Sequence, residues 1–186
     1  IPEVPSSVMV YVGFDRIGDS LLKLPFVRGL RQAFPGARIT WTAGRETSVY
    51  AGVMHELAAG LIDEIIENAG IGVGPGELLR GLSNGPLAGR RFDLIIDTRQ
   101  LYRASLRIGA FLHDTFISLS AWLMLSSRNP PRGYRFPENQ QCQLLDLLEL
   151  ASGGDFPTPK TLNLDLGRNC GTRLKSRCRK GLTISG

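Results

Sequence analysis

Two strand-length runs, Val8–Phe14 and Phe92–Asp97, are almost continuously apolar and β-branched, the second interrupted only by Asp93 near its start. A strand that is apolar on both faces belongs in a sheet covered on both sides, which in practice is a mostly parallel one. Parallel neighbours cannot be joined by a tight turn and need a crossover, usually a helix. The two runs therefore commit the chain to an α/β fold in which strands and helices alternate.

The periodicity in between has that alternation. After a loop over Asp15–Gly18, apolar residues recur at Leu21, Leu24, Val27, Leu30 and Phe34, with Lys23, Arg28 and Arg31 between them as a solvent face. Pro25 either kinks this helix or marks its first turn, and Pro35-Gly36 stops it. Arg38–Ala43 reads as a second strand. A helix is expected from about Ser48 to Ala58 with Val49, Val53 and Leu57 inward, then a short strand over Asp63–Glu67 and a glycine-rich loop over Gly70–Gly76. Leu101–Phe111 and Glu138–Ala151 have helical spacing, whereas Thr115–Leu125 fits either strand or helix. The sum is a Rossmann-like, mostly parallel sheet with helices on both faces and right-handed crossovers. Ligands bind such sheets outside the carboxyl ends of the strands, so the loops Asp15–Asp19 and Asp97–Arg103 should share one rim.

Composition narrows the class. With 186 residues, 42% apolar and 21% charged, the chain is that of a globular domain, assigned here to residues 1–167. Its longest apolar stretch, Phe116–Leu125, carries two serines and is well short of the roughly 20 residues a spanning helix needs. Ile1-Pro2-Glu3-Val4-Pro5 has neither a basic head nor an apolar signal core, so the default location is cytoplasmic. Cys142, Cys170 and Cys178 form no even framework and no C-x-x-C pair, and read as free thiols rather than a disulfide scaffold or zinc site. The net charge of +5 is local: six basic residues lie between Arg168 and Lys180, and the rest of the chain carries 16 basic against 17 acidic groups. A neutral body with a short basic tail, residues 168–186, gives no specific nucleic-acid signature, and the tail is expected to be disordered.

Several motifs come close to known chemistry. Gly13–Ser20 has phosphate-loop spacing, but Asp19 stands where a phosphate-binding lysine is required, and a carboxylate there repels phosphate. Glycines at 70, 72, 74 and 76 never produce G-x-G-x-x-G. Gly18-Asp19-Ser20-Leu21 spells the nucleophile block of the GDSL esterases, with Ser20 as the nucleophile. Those enzymes take their base from a late Asp-x-x-His, and neither His55 nor His113 has an aspartate three positions earlier.

In wider context the same residues fit better. Asp15-Arg16-Ile17-Gly18-Asp19-Ser20-Leu21-Leu22-Lys23-Leu24-Pro25, then Phe34-Pro35 and Ala37-Arg38-Ile39-Thr40-Trp41, resemble the start of the family 9 glycosyltransferases, the lipopolysaccharide heptosyltransferase group. In that family a strand leads into an Arg-x-Gly-Asp loop, a Leu-Pro helix, an Ala-Phe-Pro turn and a second strand. Phe92–Asp97, followed by Arg103 and Ser105, is similar to the family's buried strand and acceptor-side loop. The resemblance covers about Val8–Ala151.

The resemblance implies the N-terminal, acceptor-binding half of a GT-B glycosyltransferase, inverting and metal-independent, with no resident cofactor. It also implies a nucleotide-sugar donor, bound by a second domain, and a lipid-linked glycan acceptor. The setting would be lipopolysaccharide synthesis at the cytoplasmic face of the membrane, with peripheral membrane contact. Asp19 would be the general base that removes the acceptor proton; the same position also suits an N-cap. Arg16, Gly18, Arg99 and Arg103 would line the acceptor side, the arginines either holding anionic groups or being merely solvated. Asp97 would serve acceptor binding or cap its loop. A family member continues into a second α/β domain, whereas here a patternless Arg, Lys and Cys segment follows, which reads as a truncated gene or a frame shift. Half a cleft cannot hold two substrates in attack geometry, so the chain by itself is expected to be inactive, or to be a non-catalytic binding module.

Overall fold

The computed structural model describes residues 4–44, 46–71 and 84–153. Five strands, β1 (Ser7–Val12), β2 (Arg38–Ala43), β3 (Glu64–Ile66), β4 (Arg91–Asp97) and β5 (Leu112–Ser118), form one sheet in the order β3-β2-β1-β4-β5. Every pairing is parallel, with Val10 opposite Trp41 on one side and Ile96 on the other. The helices are α1 (Ile17–Ala33), α2 (His55–Ala58), α3 (Tyr102–Ile108) and α4 (Gln140–Ala151). This is the Rossmann-like α/β sheet that the apolar runs require.

Alternate residues of the strands serve two cores. Val8, Val10 and Val12 join Ile39, Trp41, Leu94 and Ile117 under α1 and α4, whose Leu24, Val27, Leu30, Leu144, Leu147 and Leu148 close that face. Met9, Tyr11, Ile95 and Phe116 point the other way, where Ala104 and Ile108 of α3 pack with Phe111 and Leu87. Burying each such side chain contributes about 1.5–3 kcal/mol, which is why β1 carries no charged residue and its Tyr11 hydroxyl is satisfied by the Ile71 carbonyl at 2.8 Å.

Several local expectations are corrected. The segment after β2 is a run of turns ending in the four-residue α2; its inward face is Tyr50, Met54 and Ala58, with Val49 packed against the core as expected but Val53 and Leu57 exposed. Val53 is 80% exposed. Tyr50 takes over because its ring packs edge-on against Trp41 at 5.3 Å and its hydroxyl donates to the Ser20 carbonyl at 2.6 Å. The ambiguous segment resolves as β5 followed by a turn in which Ala121, Trp122 and Leu123 all have positive φ. His113 lies on β5. Pro25 sits inside α1, which begins earlier than the periodicity implied. Cys142, read as a thiol, is disulfide-bonded. Most of the glycine-rich loop, from Gly72 on, and the basic tail lie outside the described residues. No helix among the described residues is long and apolar enough to cross a membrane.

Candidate functional site

Sequence order reverses direction in the sheet between β1 and β4, and at that switch point the two strand ends open a cleft of about 480 Å³. Gly13 and Phe14 enter it from β1, Asp19 and Lys23 from α1, Thr98, Arg99 and Gln100 from the loop after β4, and Glu138 and Gln143 from the start of α4. The two rim loops do share one site.

Asp19 lies in the first turn of α1, while the N-cap position belongs to Arg16. The carboxylate is partly exposed on the cleft wall, at the end of a helix whose dipole favours a negative charge. One turn later, Lys23 is only 5% exposed, not on a solvent face. Burial pushes its ammonium below the ordinary lysine range; Asp15 and Asp19 oppose that shift and Arg99 adds to it. Arg31 is also tied in, donating to the Ala37 carbonyl at 2.8 Å and to Asp63 at 2.5 Å.

Beneath the cleft floor, Asp15 is buried and accepts hydrogen bonds from the Ser20 and Ser48 hydroxyls and from Trp41 Nε1 at 3.0 Å. Ser20 is wholly buried and commits its hydroxyl to that carboxylate, which removes it as a nucleophile. His55 is on α2 and His113 is held by the Phe111 carbonyl near the opposite end of β5, so no imidazole serves Ser20.

Asp97 ends β4 and has no exposed surface. Burial pushes its carboxyl up to about 6, against the lowering effect of Ser105, the Arg99 amide, Ser118 and the Arg99 charge. Its Oδ1 accepts from the Arg99 N–H at 3.0 Å, and its Oδ2 accepts from the Ser105 hydroxyl and from Ser118 at 3.0 Å. Ser120 Oγ in turn donates to the Arg99 carbonyl at 3.1 Å. Asp97 thus caps the loop and sets the Arg99 backbone, without lining the cleft itself.

Of the other expected site residues, Gly18 is exposed in the first turn of α1, and Arg16 and Arg103 are exposed outside the cleft lining. Lys23, Gln100 and Gln143 were missed. Lys23 stands four residues after Asp19 and so shares its helix face, a signal present in the sequence. Gln143 donates to the Pro137 carbonyl at 2.7 Å and accepts from Gln100 at 2.6 Å, across a helix packing that no local pattern announces.

Among solved structures, the fold is similar to a family 9 glycosyl transferase from Veillonella parvula DSM 2008, at TM-score 0.53 and 20% identity over 78% of this chain. The likeness is one of fold, a Rossmann-like parallel sheet matching part of that glycosyl transferase. The fold is also similar to the E. coli heptosyltransferase WaaC with ADP-2-deoxy-2-fluoro heptose, at TM-score 0.54 and 16% identity over 83% of this chain. The chain spans 42% of the Veillonella glycosyltransferase and 50% of WaaC. No family model and no curated protein matches the sequence. The Rossmann-like parallel sheet is therefore common to this chain and GT-B glycosyltransferases, and its switch-point cleft is the place where such a fold holds ligands.

Proposed function

We propose that this chain is the acceptor-binding half of an inverting sugar transferase, with Asp19 as general base. The observation that carries the reading is a carboxylate on the wall of the switch-point cleft in a fold shared with heptosyltransferases. Inverting transfer needs a base at the acceptor hydroxyl as its oxygen attacks the anomeric carbon. Asp19 meets that need: it is a carboxyl group in the first turn of a helix, whose dipole favours negative charge, and it opens on the cleft. The hydroxyl proton passes to Asp19, the new bond forms to the anomeric carbon, and the nucleoside diphosphate leaves from the opposite face.

Arg99 holds the acceptor, with Asp97 acting on it through the loop, while Arg16, Gly18 and Arg103 extend the acceptor surface along the rim. The donor is a nucleotide-activated sugar, heptose by analogy with the E. coli neighbour, held by a second domain. The acceptor is a lipid-linked envelope glycan such as lipopolysaccharide core, met at the cytoplasmic face of the membrane. Catalysis needs both substrates fixed together, so transfer depends on the donor-binding domain closing over this cleft.

The experiment is a transfer assay with nucleotide-activated heptose and lipopolysaccharide core acceptor. The chain together with a donor-binding α/β domain should transfer sugar with inversion. Asp19→Asn in that protein should lower kcat by about a thousandfold, the scale of a lost general base. Retained configuration, or an Asn variant as fast as the parent, would sink the mechanism.

A further inference from the structure

Behind the cleft wall, a buried network joins the loop after β4 to the turn after β5. Asp97 Oδ1 accepts from the Arg99 N–H at 3.0 Å, and Oδ2 accepts from the hydroxyls of Ser105 on α3 and Ser118 on β5. Ser118 Oγ accepts in turn from the Ser120 N–H at 3.1 Å, while Ser120 Oγ touches Ser105 Oγ and donates to the Arg99 carbonyl at 3.1 Å. Asp97 and the three serines have no exposed surface, so the protein itself must satisfy all these groups.

The turn held by this network is left-handed. Ala121, Trp122 and Leu123 follow one another with φ of 50°, 55° and 71°, a run without a glycine that costs free energy at each residue. Ser118 and Ser120 fasten its near end, Leu123 is buried at its middle, and the Ser118 N–H donates to Ser126 Oγ at 3.0 Å on its far side. Trp122 and Met124 are left 69% and 73% exposed. Such a run persists only while its surroundings hold it, and the bonds to Asp97 are the ones whose strength depends on a charge.

That charge can be switched. Burial has already pushed the Asp97 carboxyl up to about 6, and the charge that opposes this is the Arg99 guanidinium on its own loop. From β1 the register partner is Tyr11, whose hydroxyl donates to the Ile71 carbonyl; α3 and β5 bring Ser105 and Ser118, Arg103 of α3 is exposed, and Lys23 and Asp19 of α1 line the cleft. A carboxylate accepts from all three donors, whereas a neutral carboxyl must itself donate from one oxygen. Ser105 then has another acceptor at hand, the Leu101 carbonyl at 3.2 Å.

We propose that Asp97 is a proton-operated latch: as a carboxylate it clamps the loop after β4 to the left-handed turn after β5, and on taking up a proton it lets the turn relax and frees the Arg99 segment of the cleft wall. The latch stands without the transferase reading; only its control of acceptor binding rests on that reading.

The test follows the 186-residue chain by NMR through acidification from neutral pH. The Asp97 carboxyl carbon, the Arg99 and Ser120 amides and the Trp122 indole should change together with a midpoint at about 6, whereas the Trp41 indole, held by Asp15 at 3.0 Å, should not join them. Hydrogen exchange at Arg99 and Ser120, corrected for its intrinsic pH dependence, should be about tenfold faster below the midpoint. Asp97→Asn should show the acid-state signals throughout. Ser118→Ala removes the turn's bond to Asp97 and leaves those of Arg99 and Ser105, so the Arg99 amide should keep its step while the Trp122 indole stays at its acid position. His55→Gln with His113→Gln should preserve every step, because α2 and the start of β5 carry those rings away from the network. Asp97 titrating with Arg99 and Trp122 unmoved, or a step that survives Asp97→Asn, overturns the latch; the wild-type titration decides the matter even where Asp97→Asn fails to fold. A latch in a protein that transfers no sugar would leave the switch standing and remove the transferase reading; transfer without the coupled step would do the reverse.

Discussion

Arg99 lies so close over Gly13 that a β-carbon at position 13 would meet its Cζ at 2.2 Å. The requirement is for space, since Gly13 does not have the positive φ of Gly60 or Gly70. A flat guanidinium fits only against bare backbone, and the sheet end supplies it at β1.

Gly13→Ala should therefore swing the far end of Arg99 away while leaving the fold intact. Stability should fall by no more than about 1 kcal/mol, because the clash is with a flexible side-chain tip. The contact of Arg99 with the Phe14 ring should be lost with it. Urea unfolding and the side-chain NMR signals of Arg99 in the same variant separate the two effects, and a large stability loss with those signals unmoved would contradict this account.

Asp97 gives the molecule an unusual acid-side profile. Its folded carboxyl titrates at about 6, above its ordinary 3.8, so between those values the folded state holds a proton that the unfolded state has lost. Stability from this group is thus greatest below pH 4 and declines as pH rises toward 6. Asp97→Asn should remove that decline, making the variant's stability relative to wild type rise by on the order of 2 kcal/mol across the window. Urea midpoints at intervals between these pH values measure it, and parallel curves would refute it.

Glu64 works in the opposite sense. Paired hydrogen bonds from Arg90, at 2.9 and 2.6 Å, outweigh burial and lower its carboxyl to about 2, with Thr40 and Arg38 assisting. The stabilisation is present above its ordinary 4.5 and is lost as pH falls toward 2. Because the pair is partly solvated, Glu64→Gln should cost about 1 kcal/mol at neutral pH and nothing near pH 2. A constant difference across that range would show that the effect is not electrostatic.

Asp15→Ala should be among the most damaging single changes. It strands the buried Trp41 Nε1 and two serine hydroxyls, and losses of about 2–4 kcal/mol follow from several unsatisfied donors. Thr42→Val is its converse: among the described residues the buried Thr42 Oγ1 has no partner, so the exchange should be neutral or stabilising by up to about 1 kcal/mol. Thermal unfolding of both variants suffices, and a destabilised Thr42→Val would imply a partner for that hydroxyl.

The parts of the fold legible in the sequence are those whose residues answer to one dominant force. β1 and β4 are flanked by partners on both sides, so burial leaves an apolar run that needs no context. The two-face alternation and the shared rim follow from strand geometry. The inward face of the segment before β3 is only partly legible, because Tyr50 satisfies a hydroxyl and an aromatic contact that seat it beside Val49 while Val53 and Leu57 turn outward. Lys23 was placed in solvent because lysine usually is; what draws it inward is a cleft assembled from α1, the loop after β4 and α4, which the spacing of one helix cannot encode.

That assembly also fixes when the cleft can exist. The segments carrying Lys23 and Arg99 are made far apart in time on the ribosome, and β1 pairs with β2 on one side and β4 on the other. Until β4 emerges, β1 presents a bare edge of apolar residues, open to non-native pairing. Docking of β4 both closes that edge and carries the arginine loop over Gly13. The nascent chain should therefore lose its exposed edge when β4 docks, and complete the cleft only when the helix carrying Gln143 follows.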